Sequence, residues 1–415
     1  MREFITEFKK NTSRSFYIFN GILLVIVIWG FYNWGLALTE GPGITGGNDF
    51  VPWGIYLVGF VFFVGASAGA TLIGLMIHAF SREDYEALGI RAILVGLLSL
   101  MAAVLNLMMD VGSPIRAILV PWVLHNMTSM LIYTSSTYFI FGGLFLAELF
   151  FALKIARGTA TQTDEKIAKW LAIIAVPFAL GILHAPHGAL FAVVKAREYW
   201  HTPLLPPHFA VSALVTGTSF MILLALITSR IEKKEFVGRE TLEHMGGLLA
   251  FFITLNLFFD FYDIFVLKYS EEPEGIEILD LLFGRFAPLF ILNFGGLFIA
   301  LMVLLNKRGR SVRALTFVSC LSIAAIMAYR WNLVIGGQIL PLLPGYPEIH
   351  YYPTIPEIAM EAGIISLWLL LYSALTKTLP MEGPAKAHEK IPRPAHGVRR
   401  FGKGFQPVHT RKINY

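Results

Sequence analysis

Cys320 is the only cysteine in the 415-residue chain. Iron–sulfur clusters are held by sets of cysteine ligands, and covalently attached haem requires a Cys-x-x-Cys-His run. This chain can build neither by itself. Charge is the second scarcity. Asp, Glu, Lys and Arg make up 15% of the residues, against about 25% in soluble domains. There is no Gly-rich strand–helix unit, so a nucleotide or flavin site is not indicated. The first apolar run has no small-residue cleavage site and is long enough to remain as a span, so no cleavable signal peptide is expected.

Apolar residues are what the chain has in excess: 56% of the total, with a mean hydropathy of +0.64. A helix crosses the hydrocarbon layer with about 20 apolar residues. Ten segments qualify: 17–38, 51–80, 88–110, 124–154, 168–194, 208–230, 245–267, 284–306, 313–336 and 357–379. The expected fold class is an all-α integral membrane protein with ten transmembrane helices.

Basic residues set the expected orientation. With the N-terminus (1–16) inside, all but six of the 33 Lys and Arg fall on the inner side. The six are Arg116, Lys195, Arg197, Lys268, Arg285 and Arg330. This follows the positive-inside rule at every loop and puts both termini in the cytoplasm, in a cell (plasma or inner) membrane. The net charge of +5 therefore reports topology and is no sign of nucleic-acid binding.

The chain also repeats itself. Phe141-Gly142-Gly143-Leu144-Phe145-Leu146-Ala147 returns as Phe294-Gly295-Gly296-Leu297-Phe298-Ile299-Ala300. Leu105-Asn106-Leu107-Met108-Met109-Asp110 returns as Leu255-Asn256-Leu257-Phe258-Phe259-Asp260. The two matches share nearly one register, which chance seldom produces. Segments 2–5 (51–194) and 6–9 (208–336) therefore read as duplicated four-helix bundles. Segment 1 with its outer loop (17–50) and segment 10 (357–380) flank them. An even shift preserves orientation, so the bundles should be related by an axis near the membrane normal, as in some transporters. The basic tail 381–415 lacks apolar periodicity and is expected to be irregular, lying on the inner surface or on a partner. The acidic stretch Ser270–Asp280 and the Pro-rich stretch Pro341–Pro356 face outward. They fit either a docked extramembrane subunit or solvated loops.

Ionisable groups in hydrocarbon are unfavourable and need a partner, a cavity or a task. Asp110 ends segment 3 on the outer side, His125 and Asn126 open segment 4 there, and His184 and His187 form an i,i+3 pair on segment 5. Arg116 and Trp122 lie in the short loop beside them. These groups are expected to converge at one membrane level. A carboxylate with several imidazoles suits binding a polar head group and exchanging protons. The bland alternative is ordinary interfacial His and a helix-end Asp.

Glu148 lies 23 residues beyond His125, about 35 Å along a helix. With His78, His244, Asn106, Ser99 and Thr137 it could form a proton path from the inside, unless Glu148 and His78 merely snorkel. Asn106–Asp110 and Asn256–Asp260 are i,i+4 pairs, which places Asp260 at the corresponding position of the second bundle. Asp263, Arg285, Arg330, Glu357 and Glu361 are expected to form structural ion pairs near the outer side. The intramembrane His show no repeated spacing that would bracket two haems, so haem b is not expected.

Leu183-His184-Ala185-Pro186-His187-Gly188-Ala189-Leu190, with Tyr199-Trp200-His201-Thr202-Pro203-Leu204-Leu205-Pro206-Pro207, resembles the helix 5–6 region of the NrfD/PsrC family. Val51-Pro52-Trp53-Gly54-Ile55 and Asp110-Val111-Gly112-Ser113-Pro114-Ile115-Arg116 resemble it too. The resemblance covers most of 17–380. Ten helices match the branch containing DsrP, HmcC, HybB, QrcD and ActC, with the DsrP type ahead of a HybB-like hydrogenase subunit. The resemblance implies a quinone-reactive anchor without a prosthetic group. Such a subunit passes electrons between menaquinol or menaquinone and a ferredoxin-like iron–sulfur subunit on the outer face, beside further haem or iron–sulfur subunits. Sulfur (sulfite or sulfate) respiration is the setting the DsrP type implies. The quinone site is implied in the first bundle near the outer face, carried here by His184 and Trp200–Pro207. His187 departs from the small residues of relatives. In this reading His184 or His125 bonds a quinone oxygen, Asp110 relays protons and Arg116 tunes it. Two rivals stand beside it: an ion or proton transporter on a duplicated bundle, and a structural anchor with a degenerate pocket.

Overall fold

A computed structural model describes residues 14–116, 129–232, 235–306, 310–340 and 349–381. Among these there are ten helices long and apolar enough to cross a membrane, and no strand. They are α1 (Arg14–Glu40), α2 (Ile55–His78), α3 (Glu83–Asp110), α4 (Ile132–Ala156), α5 (Gln162–Ala192), α6 (Leu205–Glu232), α7 (Arg239–Ser270), α8 (Ala287–Leu305), α9 (Val312–Ile339) and α10 (Ile355–Thr378). The chain is a multi-pass membrane protein. The face at which odd-numbered helices end is called outer below, after the charge asymmetry.

Sequence decides which helices sit at the centre. The apolar window of α2 is 83% buried, against 17% for α1 and α4. Helix α2 carries Gly65-Ala66-Ser67-Ala68-Gly69-Ala70, a run of small residues that lets backbones approach closely. It packs on α3, α6 and α9, and α6 packs on α5, α7 and α9. A Cβ at Gly217 on α6 would stand 2.4 Å from the Cα of Gly69 on α2. Only glycine fits at that crossing. On the outside of this core, α10 lies along α1 and α3, while large apolar side chains of α1, such as Val25 and Ile28, face lipid.

Two of the helix starts are closed by capping boxes. Thr161 and Asp164 cap α5; Thr354 and Glu357 cap α10. Among the described residues the ion pair expected of Glu357 does not form. Glu357 instead accepts hydrogen bonds from the Thr354 and Gly46 backbone N–H groups at 2.7 and 2.9 Å and from the Tyr351 hydroxyl at 3.0 Å. Backbone donors at a helix start stabilise an acid as a cation would.

The acidic outer stretch also differs from expectation. It is a helix, Pro273–Phe283, with Ile278, Leu279 and Leu282 buried and Glu274 and Glu277 exposed. Apolar residues at helical spacing inside the acidic run, after a proline at the first turn, account for it. Residues 1–13, the tail beyond Met381 and the stretch 341–348 lie outside the described residues.

Candidate functional site

The outer half of α5 is irregular. Pro186 has no N–H to return to the preceding turn, and the helix widens into a π segment, Phe178–His184, just before it. Such π turns are frequent at functional sites. This one carries His184 and His187, whose rings stack with centroids 6.2 Å apart, both fully buried. The Nδ1–H of His187 donates to the Leu183 carbonyl at 2.5 Å. In the neutral ring its Nε2 is then an acceptor, and the Tyr138 hydroxyl of α4 donates to it.

His184 meets α6 and α9. Arg330 of α9, 146 residues away, approaches His184 Nε2 with Nη2 at 3.4 Å and donates to the Ser212 hydroxyl of α6 at 2.5 Å. Its guanidinium lies 3.9 Å over the Phe209 ring. Arg330 is fully buried, and its Nε and Nη1 have no hydrogen-bond partner. The ion pairs expected around it do not form. Among the described residues no carboxylate comes within 4 Å of its nitrogens, and Asp263, Glu357 and Glu361 make no salt bridge either. Arg285 donates to the Ile349 carbonyl at 3.0 Å. The reason is topological. The acids expected to pair with Arg330 leave on other faces of α7 and α10, while Arg330 points at α5 and α6.

Aromatic rings wall the cluster. Phe60 packs on the His187 ring at 5.4 Å, and Phe191 lies against both Trp53 and Trp200. Trp53 and Trp200 stack at 5.5 Å. The Trp200 Nε1–H donates to the Leu333 carbonyl at 2.7 Å, and the Gln338 amide exchanges two hydrogen bonds with the Trp53 backbone, at 2.8 and 2.9 Å. Arg197 adds two bonds to the carbonyls of Gln338 and Leu340. These contacts latch the 5–6 loop and the start of α2 to the end of α9, itself a π segment, Asn332–Gly336.

A second polar group continues across α6. The Tyr329 hydroxyl lies 3.1 Å from His208 Nδ1, and His208 Nε2 lies 3.5 Å from Asp260. Asp260 accepts from Asn256 at 2.9 Å and faces Asn293 at 3.5 Å. Asp260 is thus hydrogen-bonded to the Asn256 amide and lies close to His208 of α6 and Asn293 of α8.

The expected convergence at one level is only partly met. His184 and His187 come together, but Asp110 does not join them. It is half-buried and lines a separate outer cavity of about 260 Å3 with Trp34, Asp49, Tyr56 and Glu357. It ends α3, which packs on the flank of α2 facing α10, whereas α5 brings the imidazoles to another flank. Arg116 is exposed at the outer end. Trp122, His125 and Asn126 lie outside the described residues. Of the inner set, Glu148 and His78 line one small cavity of about 70 Å3 between α2, α3, α4 and α5, beside Thr71. Asn106 and Ser99 turn instead toward α10, where Ser99 accepts from Trp368 Nε1 at 3.1 Å. Thr137 donates to the Thr134 carbonyl within α4, and His244 bonds the Tyr85 hydroxyl at 2.6 Å on the inner side. Sequence reasoning missed Tyr138, Ser212 and His208 and misjudged Arg330. No spacing rule links residues that different helices bring together.

Comparison with known proteins agrees with this architecture. The chain is 27% identical to one of the selenate reductase subunits of Mesobacillus selenatarsenatis, over 87% of this chain and 93% of that one. It is 25% identical to the Hdr-like menaquinol oxidoreductase integral membrane subunit of Archaeoglobus fulgidus, over 93% and 98%. It is 21% identical to the menaquinone reductase integral membrane subunit of Nitratidesulfovibrio vulgaris, over 88% and 92%. Residues 43–341 match the family described as polysulphide reductase, NrfD, and with that match spanning α2 to α9 the chain belongs to the NrfD family.

Proposed function

We propose that this chain is the quinone-reactive membrane subunit of a multi-subunit oxidoreductase, exchanging electrons between menaquinol or menaquinone and an iron–sulfur subunit docked on its outer face. The observation that carries the reading is the buried His184–His187 stack under Arg330. Quinol oxidation releases two electrons and two protons. It needs donors and acceptors for two oxygens inside an apolar, flat-walled site. Arg330 offers two nitrogens, Nε and Nη1, whose N–H groups lack acceptors, which a carbonyl or hydroxyl oxygen would satisfy. The imidazoles accept and pass protons, and Phe60, Phe191, Phe209, Trp53 and Trp200 supply planar apolar walls.

The quinone-binding set in this reading is His184 and His187, with His125, Asn126 and Trp122 from the segment before α4, while Asp110 and Arg116, which stand apart from the histidines, act at the outer exit. Asp110 takes protons toward the outer cavity. Glu148 and His78 feed protons from the inner cavity, Asn106 lies along α3, and Asp260 serves the second bundle through His208 and Tyr329. A sulfur-respiring complex of the DsrP type is the biological setting. Two relatives whose names include menaquinol or menaquinone support the substrate class.

The test is His184→Ala in the intact complex. Positioned acid–base groups contribute about 100-fold or more, so quinol-linked turnover should fall by at least that factor while the subunits still co-purify. Loss of the assembled complex would make His184 structural. Unchanged turnover would sink the reading, and ion flux by the chain alone in liposomes would favour the transporter.

A further inference from the structure

Helix α10 lies outside the family match, yet it carries an acid into the membrane core. Helices α3 and α10 run antiparallel and share a polar seam. Ser99 and Trp368 meet at 3.1 Å. Seven residues outward on each helix brings Asn106 level with Glu361. Four more bring Asp110 level with Glu357 at the cavity of about 260 Å3.

At the Asn106–Glu361 level α2 presents Gly59. The point where a Gly59 side chain would begin lies 2.6 Å from Glu361 Oε1, 2.8 Å from Oε2 and 2.9 Å from Asn106 Oδ1. Three acceptor oxygens therefore crowd one small space. Asn106 is fully buried and Glu361 is buried too, at a relative exposure of 7%. Asn106 Oδ1 and Glu361 Oε2 have no hydrogen-bond partner. The amide cannot be turned to help, because its Nδ2 donates to the Ala102 carbonyl at 3.2 Å. No Lys, Arg or His nitrogen lies within 4 Å of Glu361 among the described residues. Nearby titratable groups on the packed elements are Tyr56 on α2, Asp110 on α3, Glu357 on α10 and Tyr351. Tyr351 donates to Glu357 and Tyr56 to the Met360 sulfur, so none is placed as a donor to Glu361. A carboxylate here would face an amide oxygen across apolar protein with no positive partner, an arrangement that protonation relieves.

We infer that Glu361, with Asn106 and Gly59, forms a proton-binding site between α2, α3 and α10 that exchanges with outer water through the Asp110 cavity. The exchange is a simple transfer: Glu361 gives its proton to Asp110 or cavity water and becomes a carboxylate, and the reverse reloads it. Trp368 on Ser99 closes the seam on the inner side, so the site opens outward.

The protein in its native complex should be compared with Glu361→Gln by infrared difference spectroscopy at about pH 7, several units above an ordinary glutamate. The amide keeps the shape and supplies a donor to Asn106. The variant should lose one protonated-carboxyl C=O band, and in wild type that band should shift in D2O. Loss of a carboxylate band instead overturns the proposal. So does a carboxyl band that never responds to D2O, because the site would then be sealed. As a second measurement, a hydrophobic carbodiimide should label Glu361 in wild type about tenfold more than exposed Glu271 or Glu274. Protection of Glu361 by added Na+ but not K+ would make this a cation site and also overturn it. Both readouts report the Glu361 side chain itself and need no quinone turnover, so they fail or succeed separately from the quinone reading.

Discussion

Arg330 is the residue whose role is most open to experiment. A buried guanidinium with two nitrogens left without acceptors is a liability for stability. Replacing it with methionine removes that liability at similar length. Arg330→Met should leave the melting temperature unchanged or raise it, while quinol-linked turnover falls about tenfold or more, the scale of a charged hydrogen bond. A melting temperature several degrees lower with turnover intact would make Arg330 a structural cation. Tyr138→Phe is a gentler probe of the same cluster. It strips the donor from His187 Nε2 and should destabilise by about 1–3 kcal/mol, read as a lower midpoint in thermal unfolding.

At the scale of elements, the α2–α6 crossing is the closest approach of backbone to backbone at any described glycine. A Cβ at Gly217 would come 2.2 Å from the backbone carbonyl carbon of Gly69, and backbone cannot rotate away as a side chain can. Gly217→Val should therefore destabilise by about 3 kcal/mol or more and reduce the yield of monodisperse protein in size-exclusion chromatography. Gly21→Ala on α1, where nothing lies within 4 Å, is the control and should elute as wild type. The existence and number of helices were legible because long apolar runs admit few alternatives in a membrane. The π segments of α5 and α9 were not, although Pro186 hinted at the first. A π turn inserts one residue without altering composition or apolar periodicity enough to read.

At the scale of the whole molecule, α2 packs on both α6 and α9, and α6 on both α5 and α2. Gly69 meets Gly217 at the crossing. The charge asymmetry makes a direct forecast about orientation. With Cys320 replaced by serine, single cysteines at Arg116 or Glu271 should react with an impermeant thiol reagent added outside intact cells. Cysteines at Arg82 or Glu165 should react only after lysis. The reverse pattern would invert the topology, and with it the side on which the proposed quinone site lies.

Sequence alone determined that the chain spans a membrane ten times, because hydropathy and helix length act locally. It determined that this chain lacks the cysteine set that an iron–sulfur cluster or covalently attached haem requires, because ligand chemistry depends on residue type. It also singled out His184 and His187, which share a face of one helix at fixed spacing. Only the tertiary structure decided that Asp110 belongs with Glu357 at the α10 seam and away from those histidines, that Arg330 turns to α5 and α6 without a carboxylate, and that Glu361 faces Asn106 across Gly59. Each of these depends on the rotation of one helix about its axis against another. That rotation is set by packing among residues distant in sequence, and no single helix carries it.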